Sequence, residues 1–455
     1  MSPTTALINR QATDPVAFIT QKIPALNGVT GIIDADAFLS HVKALAAQLP
    51  DKSHIINLCG NRYLFLVSVC AAVLREQINL LPPNKNLTTQ KRLAERYDNA
   101  YVLHDGIEVD SELDQLNFAK IRLDGGQFDL TSDKIPQIHL DQLATISFTS
   151  GSTGDSKPNV KTWRTLTAST VINRQYMLPQ LDTTFYILAT VPGQHMWGLE
   201  TSVLMALFTP ACVVDSKPLF PLDIQLTLAQ LPKPRALVST PVHLRALVES
   251  ATSFPETDVV LCATSPLTQD LAQQTEQTFN AQLREVYGCS EVGSMALRTT
   301  ANETDWLKFT GIHFSSHNGK TIASTEYLPA EIELSDHIDL DENNRFRLLG
   351  RSDDMVDIAG KRGSLAEINT VLLKFPGLLD GIVIFPEQSR MVARLVAIVV
   401  LKEGSTKEQL KAHFREHLDG VFIPRPIYIV EQLPREENGK LPRRKIEALF
   451  AKLSA

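Results

Sequence analysis

The stretch from Asp258 to Glu291 constrains the fold more than any other. "DVVLC" reads as a buried strand, and "TSP" predicts the start of a helix, with Ser265 as N-cap and Pro266 in the first turn. Leu267, Leu271 and Phe279 then recur on one helical face. "LREVY" is the next strand, and it empties into the polar loop "GCSEVG". "RALVST" before Pro241 and "TISFTS" have the same strand-then-loop character. Alternation of this kind argues for α/β layering. In open sheets of that class, ligands collect at the carboxyl ends of strands, where these loops lie.

After residue 350 the texture changes. "GRSDDMVDIAGKRG" is charged and punctuated by glycine. Two strands follow, "GIVIF" and "RLVAIVVL", then a helix opened by a Ser405–Glu408 capping box and carrying Leu410, Phe414 and Leu418. A last helix aligns Ile446, Leu449, Phe450 and Leu453. The expected organisation is an α/β fold in two parts. A large N-terminal domain of layered sheets and helices covers 1–350, and a small mobile α+β domain covers 351–455, with the hinge near Arg351–Asp354.

Composition narrows the function classes. Net charge is -7, from 44 basic and 51 acidic residues, so nucleic acid is not an expected partner. Five scattered cysteines contain no C-x-x-C pair and suggest neither a disulfide framework nor a thiolate zinc site. The start of the chain lacks the apolar core of a signal peptide, and the longest apolar run, "YLFLVSVCAAVL" (Tyr63 to Leu74), is too short to span a bilayer. It reads as a buried helix. A cytoplasmic location is expected.

The strand "TISFTS" opens into a loop of Ser, Thr, Gly and Asp closed by Lys157. Glycines let backbone N–H groups turn inward, hydroxyls add donors, and the lysine adds charge, so such a loop can wrap a polyanion. A flexible surface linker has the same composition. The spacing excludes a Walker A loop, since Gly151 and Gly154 are three apart and Lys157 follows three later.

"FTSGSTGDSK" resembles the phosphate loop of the adenylate-forming superfamily, the AMP-dependent acyl-CoA synthetases, peptide-synthetase adenylation domains and luciferases. It departs from that pattern only at Ser156, where proline is usual. Further motifs follow in family order: "HMWGLE" (His195 to Glu200), "YGCSE" (Tyr287 to Glu291), "GRSDDMVDIAGKRG" (Gly350 to Gly363) and "PREENGKLPRRK" (Pro434 to Lys445). The resemblance runs from about residue 50 to the end. The continuation "KPNVKTW" resembles a compact bacterial subgroup linked to aryl-polyene pathways, which implies an aromatic acid and a carrier-protein acceptor.

The resemblance implies ATP-dependent activation of a small carboxylic acid to an acyl-AMP, then transfer to a thiol. That thiol belongs to CoA or to the phosphopantetheine of an acyl carrier protein. Thr149, Ser150, Gly151, Ser152, Thr153, Gly154 and Lys157 are expected at the β- and γ-phosphates. Tyr287 is expected against adenine, Ser290 at the α-phosphate, Asp336 at the ribose, Arg351 at the ribose or phosphate, and Glu291 on Mg²⁺. Lys440 is expected to bridge the carboxylate and the α-phosphate, carried in by rotation about Asp353. Gly360, Lys361 and Arg362 are expected to face the thiol tunnel, and His195, Trp197 and Gly288 to line the acyl pocket. His195 is read as a wall or gate rather than a base. Asp155 adds a negative charge inside the phosphate loop, Asp357 stands where the family often has lysine, and the region before Ile146 looks shortened. A scaffold that binds nucleotide without turnover is the alternative of a different class.

Overall fold

The helix Arg62–Leu74 explains why its sequence is apolar all round. It packs against Leu143–Thr149, His54–Asn57 and Ile78–Leu81 of one sheet and against Ala211–Val214 of another. A helix caught between two sheets has no face to give to water. In the computed structural model, which describes residues 3–123, 135–149, 157–317, 320–341, 343–351, 355–358, 361–386, 394–437 and 439–454, these two sheets form the body of the N-terminal part. The first has six strands, in the order 157–162, 143–149, 78–81, 54–57, 100–104, 115–117. The second has eleven, with a parallel centre made by 282–289, 259–262, 235–239, 185–189, 211–214 and 15–19. Val, Ile, Leu and Ala fill these parallel strands because both faces are covered.

One charged residue sits at the seam. Arg62, at the start of the caught helix, is buried, and its guanidinium donates to the carbonyls of Ala189 (3.1 Å) and Val191 (2.8 Å) and to Ser202 Oγ (2.5 Å). Burial lowers its pKa to about 10, against the opposing charge of Asp215. It thus ties the helix to the exit of the strand Phe185–Ala189.

The C-terminal part builds its own sheet from Leu378–Ile384, Val396–Leu401 and Ile427–Ile429. Helices Leu365–Leu373 and Lys407–His417 cover one face, and Arg443–Ser454 the other. Ile446 is buried there with Leu449, Phe450 and Leu453 packed around it, as the periodicity predicts.

Two helix starts differ from the sequence reading. The helix after "VVLC" begins at Gln269, capped by Thr268 rather than Ser265. Glu285 accepts from the Leu267 N–H at 3.3 Å, which holds the chain in a loop past Pro266. In the C-terminal part the capping box is Thr406–Gln409, not Ser405–Glu408. The Ser405 N–H is already used, donating to the Lys402 carbonyl. The polar loop after "LREVY" is also shorter than expected, because Gly288 and Cys289 remain in the strand Gln282–Cys289.

Replacing Arg62 with Leu leaves two buried carbonyls and a buried hydroxyl without a donor. We expect about 2–4 kcal/mol of lost stability, read as a lower urea midpoint of the N-terminal part; an unchanged midpoint would remove Arg62 from the seam.

Candidate active site

Loops at the carboxyl ends of the parallel strands converge on one edge. Phe185–Ala189 leads to His195 and Trp197, Arg235–Ser239 to Thr240 and His243, Val259–Cys262 to Thr264, and Gln282–Cys289 carries Tyr287. Hydrogen bonds join the first two loops. Thr190 Oγ1 lies 2.9 Å from Ser239 Oγ and 2.8 Å from His243 Nδ1, and Trp197 Nε1 donates to the Ser239 carbonyl at 3.2 Å. Thr264 has φ +88°, a region that β-branched residues rarely enter, and its buried hydroxyl oxygen has no hydrogen-bond partner among the described residues. Strain and an unmatched hydroxyl mark this wall as one shaped for something other than stability.

The imidazoles in this wall are held neutral. Burial first, then the charge of Lys440, lowers the His195 pKa to about 4; Lys217 and Lys85 add to the effect and Glu437 opposes it. Burial first, then Lys217, lowers His243 to about 4. A base poised for neutral pH needs a pKa near 7, so His195 fits a wall better than a proton acceptor.

Tyr287 packs against both Trp306 and Phe346, each ring centroid 5.7 Å away, and its hydroxyl donates to Asp336 Oδ2 at 3.0 Å. Asp336 begins the strand Asp336–Leu340, directly opposite Arg351 in the register. Tyr287, Asp336 and the Arg351 backbone are therefore neighbours. Ser290 and Glu291 form the turn that follows. Gly288 faces Ser294 across it, and a Cβ on Gly288 would stand 2.4 Å from the Gly293 carbonyl oxygen.

Two buried charged residues, Lys161 and Glu200, support that turn from below, each bonded to a different part of it, and the sequence alone does not single them out. The Lys161 ammonium donates to the Glu291 carbonyl at 2.5 Å. Glu200 accepts from the N–H (3.2 Å) and hydroxyl (2.9 Å) of Ser294. Burial lowers the Lys161 pKa, against Glu200, and raises that of Glu200, against Lys161. Burial, reinforced by the charge of Glu291, pushes the Cys289 thiol up to about 12. The available signal was parity: in "KPNVKT" the inward positions are Asn159 and Lys161, with exposed residues between them.

Lys440 comes from the C-terminal part on a tight turn. The Glu436 N–H donates to the Lys440 carbonyl (2.8 Å) and the Gly439 N–H to the Glu436 carbonyl (2.9 Å). Gly439 has φ +78°, and a Cβ there would lie 3.0 Å from Thr240 Oγ1 of the other part, so the turn seats glycine-first on the edge of the sheet. Arg435 anchors its base, bonding Asp380 at 2.7 and 2.6 Å and the Gly439 carbonyl at 2.7 Å. Lys440 is in this way brought within electrostatic reach of His195.

Other expected residues stand apart. Lys157 is exposed at the start of the strand Lys157–Thr162, opposite Thr149 at the end of its partner, so both flank residues 150–156 in the chain. Ser150, Gly151, Ser152, Thr153 and Gly154 lie outside the described residues, as do Asp353 and Gly360. Only the backbones of Thr149, Arg351 and Arg362 are described. Lys361 lies 2.5 Å from Asp419 within its own part. Among the described residues no helix is long and apolar enough to cross a membrane.

Residues 7–326 match the family model described as AMP-binding enzyme, and 367–440 match the AMP-binding enzyme C-terminal domain. The chain is 23% identical over 297 residues to 4-coumarate--CoA ligase of Cereibacter sphaeroides, covering 64% of this chain and 69% of that protein. It is 20% identical over 368 residues to 3,4-dihydroxybenzoate--[aryl-carrier protein] ligase of Bacillus anthracis, covering 78% and 86%. A match to a linear gramicidin synthase of Brevibacillus parabrevis is 38% identical over 99 residues, 21% of this chain and 2% of that protein. The fold is similar to that of ATP-bound MatB from Rhodopseudomonas palustris, with TM-score 0.78, 17% identity, and 99% and 98% of the two chains covered.

The neutral His195 sets a pH dependence. Its folded pKa lies below the unfolded value, so its contribution to stability is complete above about pH 6.5 and is lost as pH falls towards 4. His195→Asn should therefore lose up to about 2–3 kcal/mol less than the parent between pH 7 and pH 4.5, by urea unfolding at each pH. Parallel losses would show that the imidazole is freely protonated.

Proposed function

The chain belongs to the AMP-binding enzyme family, and from that premise we propose that it activates a small carboxylic acid with ATP and passes the acyl group to a thiol. In the first step a carboxylate oxygen attacks the α-phosphorus, the bond to the β-phosphate breaks, and pyrophosphate leaves. In the second, the thiol sulfur attacks the acyl carbon, AMP departs, and the thiol proton goes to solvent. Both steps call for charge neutralisation and alignment more than for acid–base chemistry.

The observation that carries this reading is the seating of the Lys440 turn against the His195 wall. An ammonium there offsets the repulsion between a carboxylate and an α-phosphate as they approach. The neutral imidazoles beside it leave that positive charge undiluted. Lys157, with Thr149 and Ser150 to Gly154, would take the β- and γ-phosphates. Tyr287 would lie against adenine, and Asp336 would exchange the Tyr287 hydroxyl for ribose hydroxyls, with Arg351 opposite. Ser290 would donate to the α-phosphate. Glu291 fits Mg²⁺, being a carboxylate on a turn whose backbone Lys161 fixes; phosphate oxygens and water would complete a shell that this hard ion prefers. Mg²⁺ supplies neutralisation of the leaving pyrophosphate.

His195, Trp197 and Gly288 would border the acyl group. Gly360, Lys361 and Arg362 would meet the acceptor after rotation about Asp353, the boundary between 1–350 and 351–455. The acceptor is CoA, or the phosphopantetheine of an acyl carrier protein. Relatives named for aromatic acids put aromatic substrates first. A cytoplasmic setting agrees with five free cysteines.

Pyrophosphate release, screened over aromatic and aliphatic acids of graded length, tests the reading; release with none of them would favour a scaffold. Lys440→Ala should lower acyl-AMP formation by about 10²–10³-fold while sparing thioester formation from preformed acyl-AMP. Equal loss in both steps would refute its role. Lys157→Ala should raise KM for ATP about tenfold; unchanged ATP kinetics would remove it from the phosphate site.

A further inference from the structure

Lys217 lies in the loop after the strand Ala211–Val214, and its ammonium is 2.8 Å from the Glu437 carboxylate of the C-terminal turn. We propose that Lys217 and Glu437 form a latch across the two parts that aims Lys440 at the acyl pocket and selects the acyl-AMP-forming arrangement. The proposal rests on the reaction proposed above.

The geometry has three legs. Arg435 fixes the base of the turn to Asp380 on its own side. Gly439 rests on Thr240, a contact of shape that any small rotation would loosen. The ion pair joins the turn to the opposite side only three residues from Lys440. Another ion pair between the two parts, Lys402–Glu249 at 2.9 Å, joins them at the end of the helix Pro241–Val248.

The charges around the latch act in the same direction. Burial raises the Glu437 pKa, but Lys217 first, then Lys85, bring it below its ordinary value. Lys217 also acts on both His195 and His243, so the latch and the pocket share one field. When the turn withdraws for the second step, Lys217 loses its carboxylate, and that loss opposes withdrawal. Lys217 and Glu437 are positioning residues, acting through Lys440.

The test separates the half-reactions. A partly exposed pair is individually weak, but reversing one charge replaces attraction with repulsion. Lys217→Glu and Glu437→Lys should each lower the kcat of ATP–pyrophosphate exchange about three- to tenfold, with KM for ATP within about twofold. Thioester formation from synthetic acyl-AMP should hold or rise. The double reversal should recover exchange to within about twofold of the parent. Exchange unaffected by either single change, a double variant no better than the singles, or equal losses in both steps would overturn the latch. If the parent exchanges no pyrophosphate with any acid, the proposed reaction fails, and a second measurement decides the latch. Nitroxides at Gln230→Cys and Glu416→Cys, exposed sites on the two parts, should show a distance distribution that broadens in each single reversal and narrows again in the double. Distributions unchanged by the single reversals would overturn it.

Discussion

The catalytic reading depends on one contact, a turn from the C-terminal part seated on the carboxyl edge of a parallel sheet in the N-terminal part. Gly439 makes the contact possible, since a side chain at its φ of +78° would press on Thr240. Arg435 makes it stiff, by tying the turn to Asp380 and to the Gly439 carbonyl. Lys440 follows directly, where its carbonyl closes the turn onto the Glu436 N–H. A cation delivered by a movable part can be present for one step and absent for the next, which a residue of the sheet itself could not arrange.

The sheet edge is the fixed half of the site. Thr190, Ser239 and His243 form one bonded group, and Trp197 is pinned to the same strand end. Arg62 holds the chain where it leaves Phe185–Ala189, and Lys161 holds the Glu291 carbonyl. Both cations are buried among carbonyls and lack a close carboxylate partner among the described residues. Such groups cost stability to desolvate. Their use here is orientation: each fixes the backbone at the start or end of a loop that carries side chains of the candidate site.

Much of this was legible in the sequence. Strands ending in polar loops, the all-apolar helix Arg62–Leu74 and the C-terminal α+β unit follow from periodicity and from turn residues. The ordered motifs name their family because each keeps its residue types at fixed spacing. The helix caps were misread by one to three residues, since several hydroxyl side chains stand in a row and tertiary bonds, such as Leu267 N–H to Glu285, choose among them. Lys161 carries no local signal of its own, since a lysine beside the exposed Val160 in a short strand reads as solvated. The Lys217–Glu437 pair joins residues 220 apart in sequence, so only docking of the two parts defines it. The strain at Thr264 likewise belongs to the fold around it, not to the local string "ATSPL".

A crystal structure of the chain with ATP bound examines the central claim most directly. The account predicts Lys157 on the β- and γ-phosphate side and Lys440 beside the α-phosphate, with the Gly439 turn still seated on Thr240. A bound nucleotide with both amines directed into bulk solvent would contradict it.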